Sequence, residues 1–570
     1  MLTTAAFRTA HSADRLPTVA SAMWLPFVRG RPRACPLMPM TAHVWQGSRC
    51  PLKDPPDRSS RRYPQRGGTL KEIGGPCRVP SPSGRSSAIL WAVTSSDLPL
   101  KVQQPDGTYS CQWSIPDHAT GAVLQPLGEI VLGGSKPPRC SVSGPVPGEQ
   151  WGGFPKRFEY ELLCGQLANG AGVVLIEPTL SVMGHPGGFI SFPAGNATIF
   201  SGVALVGRGA ELITDTRITE ISVQISHLDY VFRNSPIISR SIPVQSESGE
   251  MTWSATTRSN NQIWRDGSTS MEVSHMQNAT VFAEYEFGVR LTPFIRIKFD
   301  EPMEFYDAYD RWVRTLYRVM SVLTGNEEKV TFLEVRPAEA GADGPLLQVF
   351  ASPVTQSPYM PDRGRVPRAN DSALKLDEDC ISLLDLVKRW QALENEQNPV
   401  VYTYEPFALG SNQHPRARFL LLIQALEGIS NKENRLQDRE AAYKKKHARV
   451  LSECMKFLTG ASRRFVKGNL RNSSINLDDR LRDMFDSLPV DPTEKIAETA
   501  LVARVCEEKG LKPEGALRLI RNDLAHGNRT YDFPELGALA TVLESVVRAH
   551  ALRILGLGVD VQARPLNFND

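Results

Sequence analysis

The spacing of apolar residues along this chain divides it into two parts. Residues 105–300 carry short apolar runs separated by Gly, Pro and Asn, which predicts β-strands. From about residue 302 apolar positions recur every three or four residues, and from about residue 401 this helical period dominates. The pattern predicts an α+β multidomain protein, with an N-terminal β-rich, sandwich- or barrel-like domain followed by a C-terminal all-α helical bundle.

One predicted strand, Ile218–Ile225, alternates strictly between apolar and polar residues, so we expect one of its faces to contact water. His185 and His227 stand alone and are assigned structural roles. The aromatic residues of this part are assigned to the core or its rim, with a base-stacking surface as the alternative. They are Trp113, Tyr230, Phe232, Trp253 and Trp264.

Residues 301–400 combine both periods and predict a connector. A helix from about residue 302 to Gly325 is followed by a strand pair near Val330 and Leu346, then by a Pro- and Arg-rich loop over 355–372. A second helix, from about Ile381 to Leu393, places Leu383, Leu386 and Trp390 inward. The predicted division is therefore 1–100, 101–300, 301–400 and 401–565.

The predicted bundle begins with a helix at Pro415 that has Glu427 near its end. A long charged helix follows from about Asp438 to Leu458, and then a loop. Further helices are predicted over 477–488, 493–509, 513–526 and 536–555. Basic residues in the charged helix and the loop are candidate RNA contacts, with a solvated face as the alternative. They are Lys444, Lys445, Lys446, Arg463 and Arg464.

Bulk composition limits the remaining possibilities. The formal net charge is only +3, so any contact with nucleic acid is expected to be local. Nine cysteines are scattered without a C-x-x-C pair, which favours a reducing cytoplasm and gives no sign of a metal or cofactor site. No apolar run is long enough to predict a membrane span. Residues 1–100 are rich in Pro, Arg, Gly and Ser, and read as a disordered extension or as translation from a wrongly chosen start.

The most informative stretch is the helix predicted between Pro513 and Gly527. Pro is typical of a first helical position, and Gly of the position after the last. Leu517, Ile520 and Leu524 form an apolar stripe, while the polar side carries the candidate catalytic residues. The candidates are Asn522 and His526, which share a row with Arg518, together with Arg521 beside the apolar stripe.

The chemistry available at this helix end suits a phosphodiester. Arginine is a permanent cation that matches phosphate geometry, and histidine exchanges protons near neutral pH. The alternative is structural, because a histidine at a helix C-terminus also stabilises the helix dipole. Arg-x4-His is a loose pattern and does not decide between the two.

The segments that carry a family resemblance lie in both parts of the chain. Over about 105–560 the sequence resembles ApeA-like proteins of the HEPN superfamily, with an ApeA N-terminal domain before a HEPN bundle. In the bundle the motif is Arg521-Asn522-x-x-x-His526, after Arg418-Phe-Leu-Leu-Leu-Ile-Gln-Ala-Leu-Glu427. In the N-terminal part the segments are Cys111–Pro116, Ser201–Gly207 and Ile221–Tyr230.

The resemblance implies a metal-independent endoribonuclease without cofactors that acts in bacterial defence against phage. It implies catalytic roles for Arg521, Asn522 and His526, with Glu427 as a supporting residue. It also implies an RNA substrate, tRNA being one option, and a homodimer or higher oligomer formed through the bundle. We further expect the β-rich domain to bind a phage-derived trigger.

Two other functions stay open at this point. A non-catalytic RNA-binding or scaffold protein would keep the bundle for dimerisation and leave Arg521 and His526 as surface residues. A nucleotide transferase would need a carboxylate-held metal and a Gly-Ser phosphate loop, which the sequence does not show.

Overall fold

A computed structural model describes most of the chain beyond residue 103. The described ranges are 104–133, 136–147, 156–183, 195–233, 236–241, 254–257, 261–280, 288–361, 371–404, 413–433, 435–469 and 475–567. The chain divides into two compact units, Met1–Ile89 and Leu90–Asp570, and all described residues belong to the second. The predictions for residues 1–100, His185, Trp253 and the middle of the 355–372 loop lie outside the described residues.

The predicted β-rich part is present, and its strands run through the first half of the described chain. They are β1 (Gly107–Pro116), β2 (Val123–Leu124), β3 (Leu127–Leu132), β4 (Arg139–Gly144), β5 (Lys156–Glu159), β6 (Leu162–Leu167), β7 (Gly172–Ile176), β8 (Thr179–Met183), β9 (Gly195–Phe200), β10 (Val203–Gly207), β11 (Arg217–Ile225), β12 (Ile237–Ser241), β13 (Ser254–Thr257), β14 (Gln262–Asp266), β15 (Thr269–Thr280), β16 (Gly288–Glu304), β17 (Val330–Pro337) and β18 (Leu347–Ala351).

Most of these strands form one continuous antiparallel sheet. Its order is β14-β15-β16-β11-β17-β18-β10-β7-β6-β1-β3-β4-β9-β8-β5, with β2 paired to β1, while β12 and β13 pair separately. The sheet continues past residue 300, because β17 and β18 lie in its middle and join at Glu334–Gln348 and Val335–Leu347. The predicted strand pair of the connector is therefore part of the main sheet.

The sheet separates two apolar cores. In β7, Val174 and Ile176 belong to the larger core, whereas Val173 and Leu175 belong to a second core. This second core contains residues of successive strands from β18 to β8, so the sheet must curl around it. A strand buried on both faces explains why the sequence of β7 is apolar without alternation.

The prediction that β11 has one wet face is wrong. Its polar residues Glu220, Ser222 and Gln224 are all buried, because β16 and β17 pair on either side and other segments cover the face. Glu220 forms ion pairs of 3.0 Å with Arg296 and 3.1 Å with Arg336. Gln224 Oε1 accepts a hydrogen bond from a backbone N–H of the 355–361 segment, at Tyr359. Polar partners supplied from distant sequence thus replace water along this strand.

The described chain also contains α-helices, most of which follow residue 304. They are α1 (Leu228–Phe232), α2 (Phe305–Ala308), α3 (Thr315–Thr324), α4 (Leu376–Asp379), α5 (Leu383–Asn395), α6 (Pro399–Thr403), α7 (Pro415–Glu433), α8 (Gln437–Phe457), α9 (Gly460–Asn469), α10 (Leu477–Asp486), α11 (Thr493–Ala497), α12 (Ala500–Lys509), α13 (Pro513–His526), α14 (Phe533–Ile554) and α15 (Val559–Ala563). In the part of the chain that the structure describes, no helix combines the length and apolar character needed to cross a membrane.

Most helix predictions are confirmed, with four differences in detail. The helix predicted from residue 302 starts at Phe305, because β16 extends to Glu304, and a π-helical stretch joins α2 to α3. The helix starting at Pro415 continues to Glu433, beyond its predicted end. The helix predicted over 493–509 is interrupted between α11 and α12. The prediction of a loop after the charged helix is wrong, because this segment forms α9, which carries Arg463 and Arg464.

The sheet and the helical bundle share the larger core. That core runs from β-strand residues such as Ile221 to bundle residues such as Phe419 and Leu543 without interruption. Arg548 of α14 strengthens the contact, because its buried guanidinium donates hydrogen bonds to the carbonyl oxygens of Val322 and Leu323 at the end of α3. These carbonyls have no partner within the helix, so the arginine caps α3.

Gly325 is required where α3 ends against this arginine. Its φ of 72° lies in the left-handed region, as predicted for a helix-ending glycine. A Cβ at this position would come within 2.5 Å of Arg548 Nη1. Both the backbone conformation and the close approach of Arg548 therefore favour glycine.

The buried His550 of α14 is expected to make stability depend on pH. Burial, with smaller contributions from Arg553 and Arg435, lowers the pKa of His550 to about 3. Because the unfolded chain binds the proton more readily, this contribution is complete above about pH 6.5 and is lost as pH falls towards 3. Between pH 6.5 and 3 the loss grows by roughly 1 kcal/mol for each pH unit. We expect His550→Gln to show a weaker decrease in the free energy of unfolding between pH 6.5 and 4.5, measured with urea.

The exposed His118 provides the matched control for that measurement. His118→Gln should retain the pH dependence of the wild-type protein. If His550→Gln and wild type lose stability in parallel as pH falls, His550 is not the group that takes up the proton on unfolding.

Candidate functional site

Helix α13 forms as the sequence predicts. Pro513 occupies its first turn, and Gly527 ends it with a φ of 70°, donating its backbone N–H to the carbonyl of Asp523. Leu517, Ile520 and Leu524 are buried and anchor the helix in the bundle. The polar side of the last two turns consequently faces away from the core.

Arg521 lies at the centre of the candidate site. Its Nη1 donates to Asn522 Oδ1 at 3.2 Å, and its Nη2 lies 3.6 Å from Glu427 Oε2 of α7. About a third of each charged side chain is exposed, 31% for Arg521 and 34% for Glu427. The structure thus brings three of the predicted residues together, with a guanidinium that solvent or a ligand can reach.

His526 stands apart from this group within one chain. It is the last residue of α13 and is exposed. Within the described residues, no hydrogen bond or ion pair joins it to Arg521, Asn522 or Glu427. Five positions on an ideal helix correspond to a rotation of about 140°, which accounts for the separation. A single chain therefore presents the cation and the imidazole on different sides of the same helix end.

The predicted polar row on α13 serves two different purposes. Arg518 Nε donates to Asp478 Oδ1 at 2.7 Å and so ties α13 to α10. Asn522 Oδ1 accepts a hydrogen bond from Arg521 Nη1. The row is thus split between holding the bundle together and orienting the candidate phosphate-binding arginine.

Several residues that contact the end of α13 are not predicted from the sequence. Arg416 of α7 donates to the carbonyl of Leu524, and His414 packs edge-on against the Phe533 ring at 4.6 Å. Tyr531 donates to Asp523 Oδ2 at 2.7 Å, and burial together with this carboxylate raises the pKa of Tyr531. These contacts join the starts of α7 and α14 to the last turn of α13. No spacing in the sequence signals them, because each depends on how the helices cross.

The predicted RNA-contacting residues lie elsewhere, on α8 and α9. Lys444 is 63% exposed and forms an ion pair of 3.2 Å with Glu440 on the same helix. Lys445, Lys446, Arg463 and Arg464 are exposed. No ion pair or hydrogen bond in the described ranges links any of them to Arg521 or His526.

Metal ligands are not grouped in the described part of the chain. Among the residues that the structure describes, no cluster of three or more His, Cys, Asp or Glu side chains could hold a metal ion. The candidate site itself offers the Arg521 guanidinium, the Asn522 amide, the Glu427 carboxylate and the His526 imidazole.

The protein therefore combines a curled antiparallel sheet with a helical bundle in which the last two turns of α13 carry a partly exposed Arg521 and an exposed His526. Residues 128–368, which include most of the sheet, match the family model described as ApeA N-terminal domain 1. This match agrees with the ApeA resemblance that the N-terminal part of the sequence indicated. Neither a search of curated proteins nor a search of solved structures returned a match.

Proposed function

We propose that this protein is a metal-independent HEPN-type endoribonuclease that acts in the cytoplasm in defence against phage. The observation that carries the proposal is the exposed end of α13, where Arg521 is oriented by Asn522 and Glu427 and is followed by an exposed His526. The ApeA N-terminal domain that precedes this bundle supports the defence role.

Arg521 is the proposed phosphate-binding group. Its contact with Glu427 is partly exposed, and such pairs contribute only about 0–1 kcal/mol. A phosphate can therefore replace the carboxylate at small cost. Once bound, the guanidinium stabilises the negative charge that grows on the phosphate oxygens during cleavage. Asn522 keeps the guanidinium in position through the 3.2 Å hydrogen bond.

His526 is the proposed proton-transfer group. It removes the proton from a ribose 2′-hydroxyl, which attacks the adjacent phosphorus, or it protonates the leaving 5′-oxygen. The products are a 2′,3′-cyclic phosphate and a free 5′-hydroxyl. DNA lacks the attacking hydroxyl and should not be cut.

A composite site of two chains follows from the separation of Arg521 and His526. Two α13 helices that meet antiparallel in a homodimer would bring the histidine of one chain to the arginine of the other. The two imidazoles could then divide the roles of base and acid. In this proposal the sheet domain keeps the nuclease inactive until the sheet domain binds a phage-derived trigger.

His526→Ala tests the nuclease directly. Purified wild-type and variant proteins are incubated with total RNA and with tRNA in the presence of EDTA. Removal of a general acid–base group should slow cleavage at least about a hundredfold. Wild type should yield 2′,3′-cyclic phosphate ends, and His118→Ala, which replaces an exposed histidine of the sheet part, should retain activity. Equal cleavage by His526→Ala and wild type would exclude His526 from catalysis.

The same assay separates the alternatives. A scaffold or RNA-binding protein would bind RNA with strong salt dependence but show no turnover in any variant. Extract from phage-infected cells, added in a parallel reaction, tests the trigger. An unchanged cleavage rate with that extract would count against restraint by the sheet domain.

A further inference from the structure

Helices α8 and α9, here called the α8–α9 arm (residues 437–469), lack the burial that anchors other long helices. Not one side chain in either helix is buried. By contrast, the neighbouring α7 buries Phe419, Leu422 and Ile423 completely. Long helices in proteins are normally stabilised by packing of one face, so the arm presents a surface available to a partner.

The arm also carries an unusual concentration of positive charge. It contains nine basic residues and three acidic ones, a net charge of +6, while the whole chain is +3, so the remaining residues sum to −3. The basic residues are Arg439, Lys444, Lys445, Lys446, Arg449, Lys456, Arg463, Arg464 and Lys467, and the acidic ones are Asp438, Glu440 and Glu453. Such local charge within a nearly neutral protein is typical of a surface for a polyanion.

Within the described residues, two of these nine cations form ion pairs. Arg439 pairs with Asp479 at 3.1 Å, and Lys444 pairs with Glu440 at 3.2 Å. For the other seven basic residues of the arm, no ion pair occurs in the described ranges. Two aromatic rings lie among them, since Phe457 is 85% exposed and Phe465 is 68% exposed. Exposed aromatic rings beside cations are what single-stranded nucleic acids use for base stacking and phosphate contacts.

Charge distribution favours RNA over a bilayer or a second copy. The consecutive residues Lys444, Lys445 and Lys446 point in directions about 100° apart, so positive charge surrounds the helix. A planar membrane surface would meet only one side of it. Pairing two copies of the arm would place +6 against +6, which repels.

We propose that the α8–α9 arm is a binding surface for single-stranded RNA. The choice of RNA as the polyanion rests on the proposed ribonuclease function. Phosphates contact the cations around α8 and α9, while unstacked bases pack on Phe457 and Phe465. Binding by the arm is separate from cleavage and can be measured alone.

The test uses full-length His526→Ala protein in EDTA and a fluorescent 20-nucleotide oligouridine. Lys445→Gln, Lys446→Gln and Arg449→Gln are combined in one variant, because these three cations are not paired in the described structure. Each lost phosphate contact lowers the slope of log affinity against log salt by about 0.7, so the slope should fall by about 2. At 0.15 M salt the affinity should fall roughly fiftyfold.

A charge-matched control keeps this result specific. Lys136→Gln, Lys298→Gln and Lys329→Gln remove the same net charge from exposed positions of the sheet part. This control should leave both slope and affinity unchanged. In contrast, Phe457→Ala and Phe465→Ala should each weaken binding about tenfold without altering the slope.

Three results would overturn the proposal. The arm variant could bind oligouridine with the wild-type slope, or the control variant could lose as much as the arm variant. The phenylalanine variants could leave RNA binding unchanged and alter only the sedimentation of the protein, which would show that the surface binds a second copy of the chain.

If wild type binds oligouridine through the arm but cuts no RNA, the proposed nuclease fails while this inference stands. If the same three substitutions, made with His526 intact, leave both RNA cleavage and RNA binding equal to wild type, the inference fails while the nuclease stands.

Discussion

Arg521→Ala is expected to slow RNA cleavage by about a hundred- to a thousandfold while the protein stays folded. The guanidinium is proposed to stabilise charge that develops on the phosphate, and removing such a donor typically costs this much. Stability should change by less than about 1 kcal/mol, because the contact with Glu427 is partly exposed. Cleavage of tRNA in EDTA gives the rate, and urea unfolding gives the stability.

Arg518 supplies the matched control on the same helix. It lies one turn before Arg521, and its side chain pairs with Asp478 of α10 and not with the candidate site. Arg518→Ala should keep the cleavage rate within a few-fold of wild type. Arg521→Lys retains the charge but loses the planar, two-pronged geometry, so intermediate activity is expected. If Arg518→Ala slows cleavage as much as Arg521→Ala, general loss of positive charge explains the effect and the assigned role is wrong.

Arg548→Met is expected to lower the free energy of unfolding by about 3–5 kcal/mol, the range for breaking a buried charged contact. Burial lowers the pKa of Arg548 to about 10, so it remains charged at neutral pH. Its loss would leave the carbonyls of Val322 and Leu323 without this donor. It would also remove the cation whose field reaches the buried Glu328.

The exposed pair between Arg529 and Glu508, 3.3 Å apart, provides the comparison for this measurement. Arg529→Met should cost no more than about 1 kcal/mol in the same urea titration. If both variants lose the same free energy of unfolding, Arg548 does not stabilise the contact between sheet and bundle more than an exposed ion pair would.

The sequence predicts those helices and strands that are specified by residues close together in the chain. Pro513, the stripe of Leu517 and Ile520, and Gly527 specify α13 within fourteen residues, and the structure has those bounds. The sequence predicts a solvent-exposed polar face for β11 because the partners of Glu220, Arg296 and Arg336, lie more than seventy residues away in the chain. The sequence predicts a loop where α9 forms, because this ten-residue segment is rich in Gly and polar residues and buries none of its side chains.

The candidate site shows the same division. Spacing on one helix identifies Arg521, Asn522 and His526 as candidates, because all three lie on α13. Their mutual arrangement depends on more than α13 alone. The approach of Glu427 to Arg521 requires α7 to cross α13, and the engagement of Arg416 by the carbonyl of Leu524 requires the same crossing. Helix crossing is set by packing across the core, which a single sequence does not display.

The uninterrupted core between sheet and bundle constrains how such a protein can diversify. Exchange of the whole N-terminal part for an unrelated recognition module would strip apolar cover from helices such as α14 and leave Arg548 without its carbonyl acceptors. New specificity is then expected to arise through changes in loops and edge strands, with the buried junction kept. Recombination at the junction would produce proteins that unfold, and these would be selected against whatever their activity.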